Sequence, residues 1–272
     1  MPERCGIIAG QGKLPLELAN SAVRRGFEVI VFPIEDQFDQ CFKKYETIPI
    51  NLGSVARTRQ LFLEFRIKKM IMAGKVKWPL MADLQPDDDA KDLLEKMNTK
   101  GDDKVLRVLR DYFLEKGIEL IGADTLLPNR LLPAGVLSGE LTESQMEKPI
   151  KLARSVLDGL GMVDVGQSVI VQNGRVLAVE AAEGTDDMLV RSKELIDSSG
   201  GVAFFVKMCK SGQDRKLDVP VVGCKTVELA ATSGIRAIVL EAGGIFLADE
   251  LEDIIMLCER HGVSLVSIVK ES

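Results

Sequence analysis

Two acidic bends in the second half of the chain hold the residue types best suited to chemistry. The first, "EAAEGTDDM" (180–188), places Glu180, Glu183, Asp186 and Asp187 around Gly184, just after an apolar run that reads as a strand. Four carboxylates in one bend can supply oxygen ligands to a hard dication. They also suit an ordinary helix start, with Thr185 as N-cap and Asp186 and Asp187 in a first turn where the helix dipole favours acids by about 0.3–1 kcal/mol. The second bend, "KSGQDRKLDVP" (210–220), mixes Gln213, Asp214 and Asp218 with Lys207, Lys210, Arg215 and Lys216, after the buried strand "GVAFFVKMC" (201–209). Gly212 and Pro220 make it a loop, and loops at strand ends are where reactive groups concentrate. Carboxylates among cations match a magnesium diphosphate: the metal takes carboxylates and phosphate oxygens, the cations neutralise the rest, and a carboxylate orients water. A charge-rich surface turn is the competing reading.

The first half offers a different candidate. "GIIAGQGKLPLELA" turns a strand through Gly10 and Gly12 into a helix, the arrangement that brings backbone amides up to a phosphate. Pro15 stands where a dinucleotide fingerprint would have its third glycine. Glu35 and Asp36 follow the next strand, where a ribose hydroxyl would lie. Lys75, Lys77 and Trp78 follow the strand "KKMIMAG" and are candidates for phosphate or base contact. An NAD(P)-dependent oxidoreductase and a non-catalytic nucleotide or lipid sensor are therefore the rival functions.

Other chemistries lack their residues. The single histidine, His261, precedes a glycine near a helix end and reads as structural. Neither a GxSxG elbow nor a GxxxxGK[ST] loop occurs. The five cysteines are scattered with no CxxC pair, against a zinc site or disulfide framework and in favour of a reducing cytoplasm. A net charge of −6 argues against a nucleic-acid partner. The amino terminus reads as a strand and not as a signal peptide, and no apolar run reaches the ~20 residues of a membrane span. Any membrane contact is expected to be peripheral.

The elements that must position these residues follow from periodicity. At 46% hydrophobic and 28% charged the chain has ample material for packed cores. The first half alternates strands and helices, as a doubly wound sheet does, with ligands expected at the carboxyl ends of its strands. The fold class is α/β: a Rossmann-like parallel-sheet domain over 1–134 and a mixed α/β domain over 135–272. Between them, "ADTLLPNRLLPAGVLSGELTESQ" (123–145) reads as a connector whose leucines either dock in a domain interface or meet an acyl chain. In the second half, Pro149 fits best in the first turn of a helix, Asn173-Gly174 signals a hairpin, and a helix is expected over about 186–196. An exposed edge of this sheet is compatible with a homodimer.

Taken together, "GIIAGQGKLPLELA", "GDDKVLR", "DVGQSVIVQNGRVLAVEAAEGTDDML" and "VKMCKSGQDRKLDVPVVGCKTVELAATSGIRAIVLEAG" resemble, over nearly the full chain, the LpxI-type UDP-2,3-diacylglucosamine pyrophosphatases of lipid A biosynthesis. "VEAAEGTDDML" and "GQDxxxDxP" are the specific part. The resemblance implies a magnesium-dependent (or manganese-dependent) hydrolase that splits a UDP-linked diacylglucosamine into UMP and 2,3-diacylglucosamine 1-phosphate. It further implies two domains with the lipid product held between them, and a cytoplasmic enzyme peripheral at the inner membrane. Carried onto this chain, it points to Asp214 and Asp218, beside Gln213, as metal or water-activating groups, with Glu180, Glu183 and Asp186 as further metal candidates. Gly10, Gly12, Lys75, Gln167, Thr185, Lys207 and Lys210 are the substrate-binding candidates.

Overall fold

The computed structural model describes residues 2–38, 42–76, 84–96, 102–210 and 219–269, with the backbone alone for 102–104. The chain divides into two compact units, one running to Pro128 and one beginning at Asn129.

The first unit is built of β1 (Arg4–Ala9), α1 (Leu14–Arg24), β2 (Glu28–Pro33), β3 (Glu46–Thr47), α2 (Val55–Glu64), β4 (Lys69–Ala73), α3 (Asp88–Lys96), α4 (Asp102–Glu115), β5 (Glu119–Leu120) and the short α5 (Ala123–Leu126). Its strands pair in parallel in the order β3-β2-β1-β4-β5. Because successive strand side chains face opposite ways, β1, β2 and β4 each feed two cores. Ile7, Val31 and Ile71 pack with Leu18, Ala19 and Ala22 of α1. Ile30, Phe32 and Met70 pack on the other face with Leu61 and Phe62 of α2 and Phe113 of α4. Asp87 ties two helix starts together: Oδ2 accepts the Ala56 amide of α2 at 2.7 Å and Oδ1 the Ala90 amide of α3 at 2.9 Å.

The second unit contains β6 (Gly135–Ser138), α6 (Glu143–Met162), β7 (Ser168–Gln172), β8 (Arg175–Val179), α7 (Gly184–Ser192), β9 (Phe204–Lys207), β10 (Val221–Val222), α8 (Cys224–Thr232), β11 (Ala237–Glu241), β12 (Phe246–Leu247), α9 (Leu251–His261) and β13 (Ser264–Ile268). The main sheet runs β6-β13-β11-β9-β7-β8, parallel through β13, β11 and β9 and antiparallel at both flanks. One face packs on α6 through Met146, Ala153 and Leu157. The other meets α7, α8 and α9 through Met188, Leu189, Val227, Ala230 and Ile254. The Asn173-Gly174 hairpin is present between β7 and β8, with both residues at positive φ (52° and 73°), as a type I′ turn requires. His261 sits in the last turn of α9, closed by Gly262 in the left-handed conformation.

Three sequence expectations are corrected. Pro149 lies inside α6 and not in its first turn, because the helix begins earlier at a box in which the Gln145 side chain accepts the Thr142 amide at 2.9 Å. Of the connector leucines, expected in a domain interface or against an acyl chain, two are core residues instead: Leu126 is buried in the core of the first unit and Leu132 in that of the second. Leu132 is laced in by backbone bonds, donating to Ile245 and accepting from Gly243. Thr185 is not the N-cap of α7, since the helix starts at Gly184 with Glu183 in the cap position.

Candidate active site

The parallel strands β9 and β11 end at Lys207 and Glu241, and β7, antiparallel to β9, begins beside Lys207 at Ser168. The Glu180 amide donates to the Ser168 carbonyl at 2.9 Å, so Glu180, Ser168 and Lys207 form a row across three adjacent chain segments. This is the end of a parallel sheet at which ligands bind. Glu180 is 8% exposed and Lys207 4%. Two opposite charges buried this deeply require hydrogen-bonded compensation. Thr185 provides it: its hydroxyl donates to Glu180 Oε1 at 2.7 Å and accepts from Lys207 Nζ at 2.8 Å. The positive φ of Gly184 (81°) at the entry of α7 brings this threonine back over the strand ends.

Gln167 joins the same group. Its carbonyl accepts the Met208 amide at 3.1 Å, its own amide points to Glu180 Oε2 at 3.4 Å, and its side-chain Oε1 is buried with no hydrogen-bond partner. An unpaired buried acceptor at the end of a sheet is where an incoming N–H or O–H can be received. Lys210 pairs with Asp164 at 2.5 Å, both partly buried. Four of the predicted residues, Gln167, Glu180, Thr185 and Lys207, are thus one connected cluster, with Lys210 three residues beyond Lys207 on the same strand exit. Asp214, Asp218 and Gln213 lie outside the described residues, as do Lys77, Trp78 and Cys41.

The remaining predicted carboxylates are engaged elsewhere. Glu183 accepts from Arg191 at 2.6 Å, and that guanidinium holds its carboxyl below the usual range. Asp186 pairs with Lys225 at 2.7 Å, which raises the lysine pKa. Among the described residues no group of three or more His, Cys, Asp or Glu side chains is arranged to hold a metal ion. The described carboxylates by themselves therefore do not fit a magnesium ion, which needs several oxygens in near-octahedral array.

The glycine turn of the first unit lies at the carboxyl ends of β1 and β4, where the strand order reverses. Its amides are already engaged: Gly10 donates to Ala73 at 2.8 Å and Gln11 to Lys75 at 2.9 Å, with Lys75 donating back to Gln11. A Cβ at Gly10 would stand 2.6 Å from the Lys75 carbonyl oxygen, so this glycine serves a close backbone crossing. Gly12, at φ 99°, faces open space and Lys75 is exposed. The Gly10 and Gln11 amides are thus consumed by the crossing between the ends of β1 and β4.

Three functional neighbours escaped the sequence reading. Gly166 admits the Glu180 backbone, since a Cβ there would lie 2.1 Å from its carbonyl oxygen. Asp164 holds Lys210. Glu241, 1% exposed, accepts the Cys209 amide at 2.9 Å. Of these, Glu241 carried a visible signal: an acid closing the wholly apolar run "AIVL" at the carboxyl end of a strand. Thiol chemistry is disfavoured, because burial pushes Cys5 and Cys258 up to about 12.

Comparison with known proteins identifies the family of the chain. Residues 4–130 match the family model described as the LpxI N-terminal domain and residues 133–266 the LpxI C-terminal domain. The chain is 30% identical over 273 aligned positions, covering 97% of each chain, to the UDP-2,3-diacylglucosamine pyrophosphatase LpxI of Caulobacter vibrioides. Among solved structures, the precorrin-6A reductase CobK aligns over 99% of this chain and 89% of its own at 10% identity and a TM-score of 0.36. The Thermus thermophilus UDP-glucose 4-epimerase complex with NAD aligns over 97% and 85% at 13% identity and a TM-score of 0.31. Both structural likenesses are too slight to bear on fold or chemistry. With both halves matched in order and a full-length relative of the same kind, the chain belongs to the LpxI family.

Proposed function

We propose that this chain hydrolyses the diphosphate of UDP-2,3-diacylglucosamine, releasing UMP and 2,3-diacylglucosamine 1-phosphate. The observation that carries the reading is the buried Lys207–Thr185–Glu180 array at the carboxyl end of β9, on the strand that leads within seven residues to Asp214. The substrate class comes from the Caulobacter relative's name. A diphosphate resists hydrolysis because its anionic oxygens repel a nucleophile, and a fixed cation in a poorly solvated setting offsets that repulsion more strongly than in water. Lys207 and Lys210 are the cations at the strand exit, each fixed by a partner (Thr185 and Asp164) and so oriented before substrate arrives. Gln167 Oε1 is suited to accept a hydrogen bond from the uracil or sugar.

Magnesium or manganese dependence belongs to the same proposal, with Asp214 and Asp218 as the ligands to be tested. A cytoplasmic location with peripheral contact at the inner membrane follows from the lipid substrate, and no described helix is long and apolar enough to cross a membrane. The test is incubation of the purified protein with UDP-2,3-diacylglucosamine and magnesium, following UMP. Release of UMP that stops on addition of a chelator is expected. Absence of UMP overturns the substrate assignment, and release undiminished by exhaustive chelation overturns the metal requirement.

A further inference from the structure

α6 ends in a turn that leaves its apolar residues outside. The Val165 amide donates to the Leu160 carbonyl at 3.1 Å and the Asp164 amide to the Gly161 carbonyl at 3.3 Å, with Asp164 at φ 53° in the left-handed position of a Schellman closure. The apolar residue after that position commonly packs back on its own helix. Here Val165 is 41% exposed, Val163 66% and Met162 83%. Among the described residues no other stretch of four positions exposes three large hydrophobic side chains. Isolated ones are ordinary on a protein surface, whereas a cluster marks a contact.

The fourth member of the turn points the other way. Asp164, in a conformation that costs an L-residue more than glycine, accepts Lys210 Nζ at 2.5 Å. Three residues later Gln167 opens the cluster of Glu180, Thr185 and Lys207. Apolar surface and fixed cations therefore adjoin along one short stretch of chain. The proposed substrate has the same layout: its acyl groups stand on sugar positions 2 and 3 and its phosphate on position 1, so the tails leave the ring beside the charged group. Leu126 and Leu132 of the connector are already buried in cores and do not supply the apolar surface those tails need.

We propose that Met162, Val163 and Val165 form the surface on which the acyl chains of the substrate lie, beside the cation that faces its phosphate, and that this corner sets chain-length selectivity. This rests on the substrate assigned above. Full burial of one Val or Met side chain favours binding roughly tenfold or more, so three of them distinguish a long chain from a short one.

The experiment measures kcat and KM for UMP release from a series of UDP-2,3-diacylglucosamines whose acyl groups lengthen from acetyl upward. Wild type is compared with M162S/V163S/V165S and with V176S, an exposed valine of β8 next to the Asn173-Gly174 hairpin; thermal melting is the fold control. Wild-type KM is expected to fall as the chains lengthen. In the triple variant, KM for the longest chains is expected to rise about 10- to 100-fold while the shortest substrates turned over stay within about twofold, and V176S should match wild type. If the triple variant does not fold, M162S and V163S replace it, each with an expected rise of about three- to tenfold for the longest chains. A wild-type KM independent of chain length overturns the proposal, as does a folded variant with the wild-type dependence, an equal loss toward every substrate, or the same loss in V176S. A variant that keeps the dependence but no longer sediments with phosphatidylglycerol vesicles makes the corner a membrane contact instead; one that keeps it but no longer self-associates in ultracentrifugation makes it a contact between copies. Wild type that releases UMP from no member of the series removes the substrate assignment itself.

Discussion

Replacing Thr185 by valine removes one oxygen and almost no volume, so its effect isolates the hydroxyl that spans Glu180 and Lys207. Both bonds made by that oxygen, at 2.7 and 2.8 Å, have a charged partner. Bonds of this kind contribute about 1.5–3 kcal/mol each. Both partners remain buried after the substitution, at 8% and 4% exposure, so water does not readily replace what is lost. Taking the lower figure for each gives a destabilisation of about 3 kcal/mol. With a urea m-value of about 2 kcal/mol per molar, the midpoint for the second unit falls by roughly 1.5 M. Urea titration followed by circular dichroism is the assay, and T185S should restore most of the loss. A double-mutant cycle sharpens the result: K207M should cost less on the T185V background than in wild type, because the stranded ammonium is removed. A T185V protein within about 0.5 kcal/mol of wild type, or a serine variant as unstable as the valine one, would refute the argument that the hydroxyl compensates the two buried charges.

Three further outcomes follow from local geometry. G166A should destabilise the second unit by about 2–3 kcal/mol and lower turnover, because its Cβ meets the Glu180 carbonyl at 2.1 Å and neither backbone can yield without straining the Glu180–Ser168 bond; an unaffected melting curve would contradict this. D87A removes the caps of α2 and α3 together, for about 2 kcal/mol, and hydrogen exchange should accelerate in both helices, whereas acceleration in one alone would show that the caps are not shared. Tyr112, half-buried and hydrogen-bonded to Asp89, has its pKa pushed from 10.0 up to about 12, chiefly by loss of solvent. The protonated phenol is favoured by folding, so its contribution is intact below pH 10 and is lost as pH rises toward about 12. Stability measured against pH should show that alkaline decline in wild type and lack it in Y112F; identical profiles would remove the tyrosine as its source.

The features legible in the sequence were those written in local chemistry. The Asn173-Gly174 turn needs two residues that tolerate positive φ, and the pair announces itself. The alternating strands of the first unit carry apolar residues on both faces, which is the mark of a sheet covered by helices on two sides. The start of α6 was obscured by Pro149, whose usual first-turn preference was overridden by the box at Thr142 and Gln145. Thr185 illustrates the limit more sharply. Its neighbours Gly184, Asp186 and Asp187 describe a helix start, and a threonine there reads as a cap. Its actual partners are Glu180 and Lys207, and Lys207 is brought near only by the pairing of β7 with β9. The same holds for Gly166 and Glu241, whose roles depend on Glu180 and Cys209, residues 14 and 32 positions away that adjoin only in the folded sheet. Glu183 and Asp186 looked equivalent to Glu180 by spacing, but Arg191 and Lys225 claim them.

The central proposal is that this chain hydrolyses UDP-2,3-diacylglucosamine and that the reaction needs Asp214. Single-turnover UMP release by D214A beside wild type, at matched far-UV circular dichroism and saturating magnesium, tests it most directly. A drop of at least about 100-fold in rate is predicted, the scale for removing a charged group from a reaction centre. Turnover by D214A at the wild-type rate would place the chemistry elsewhere in the chain.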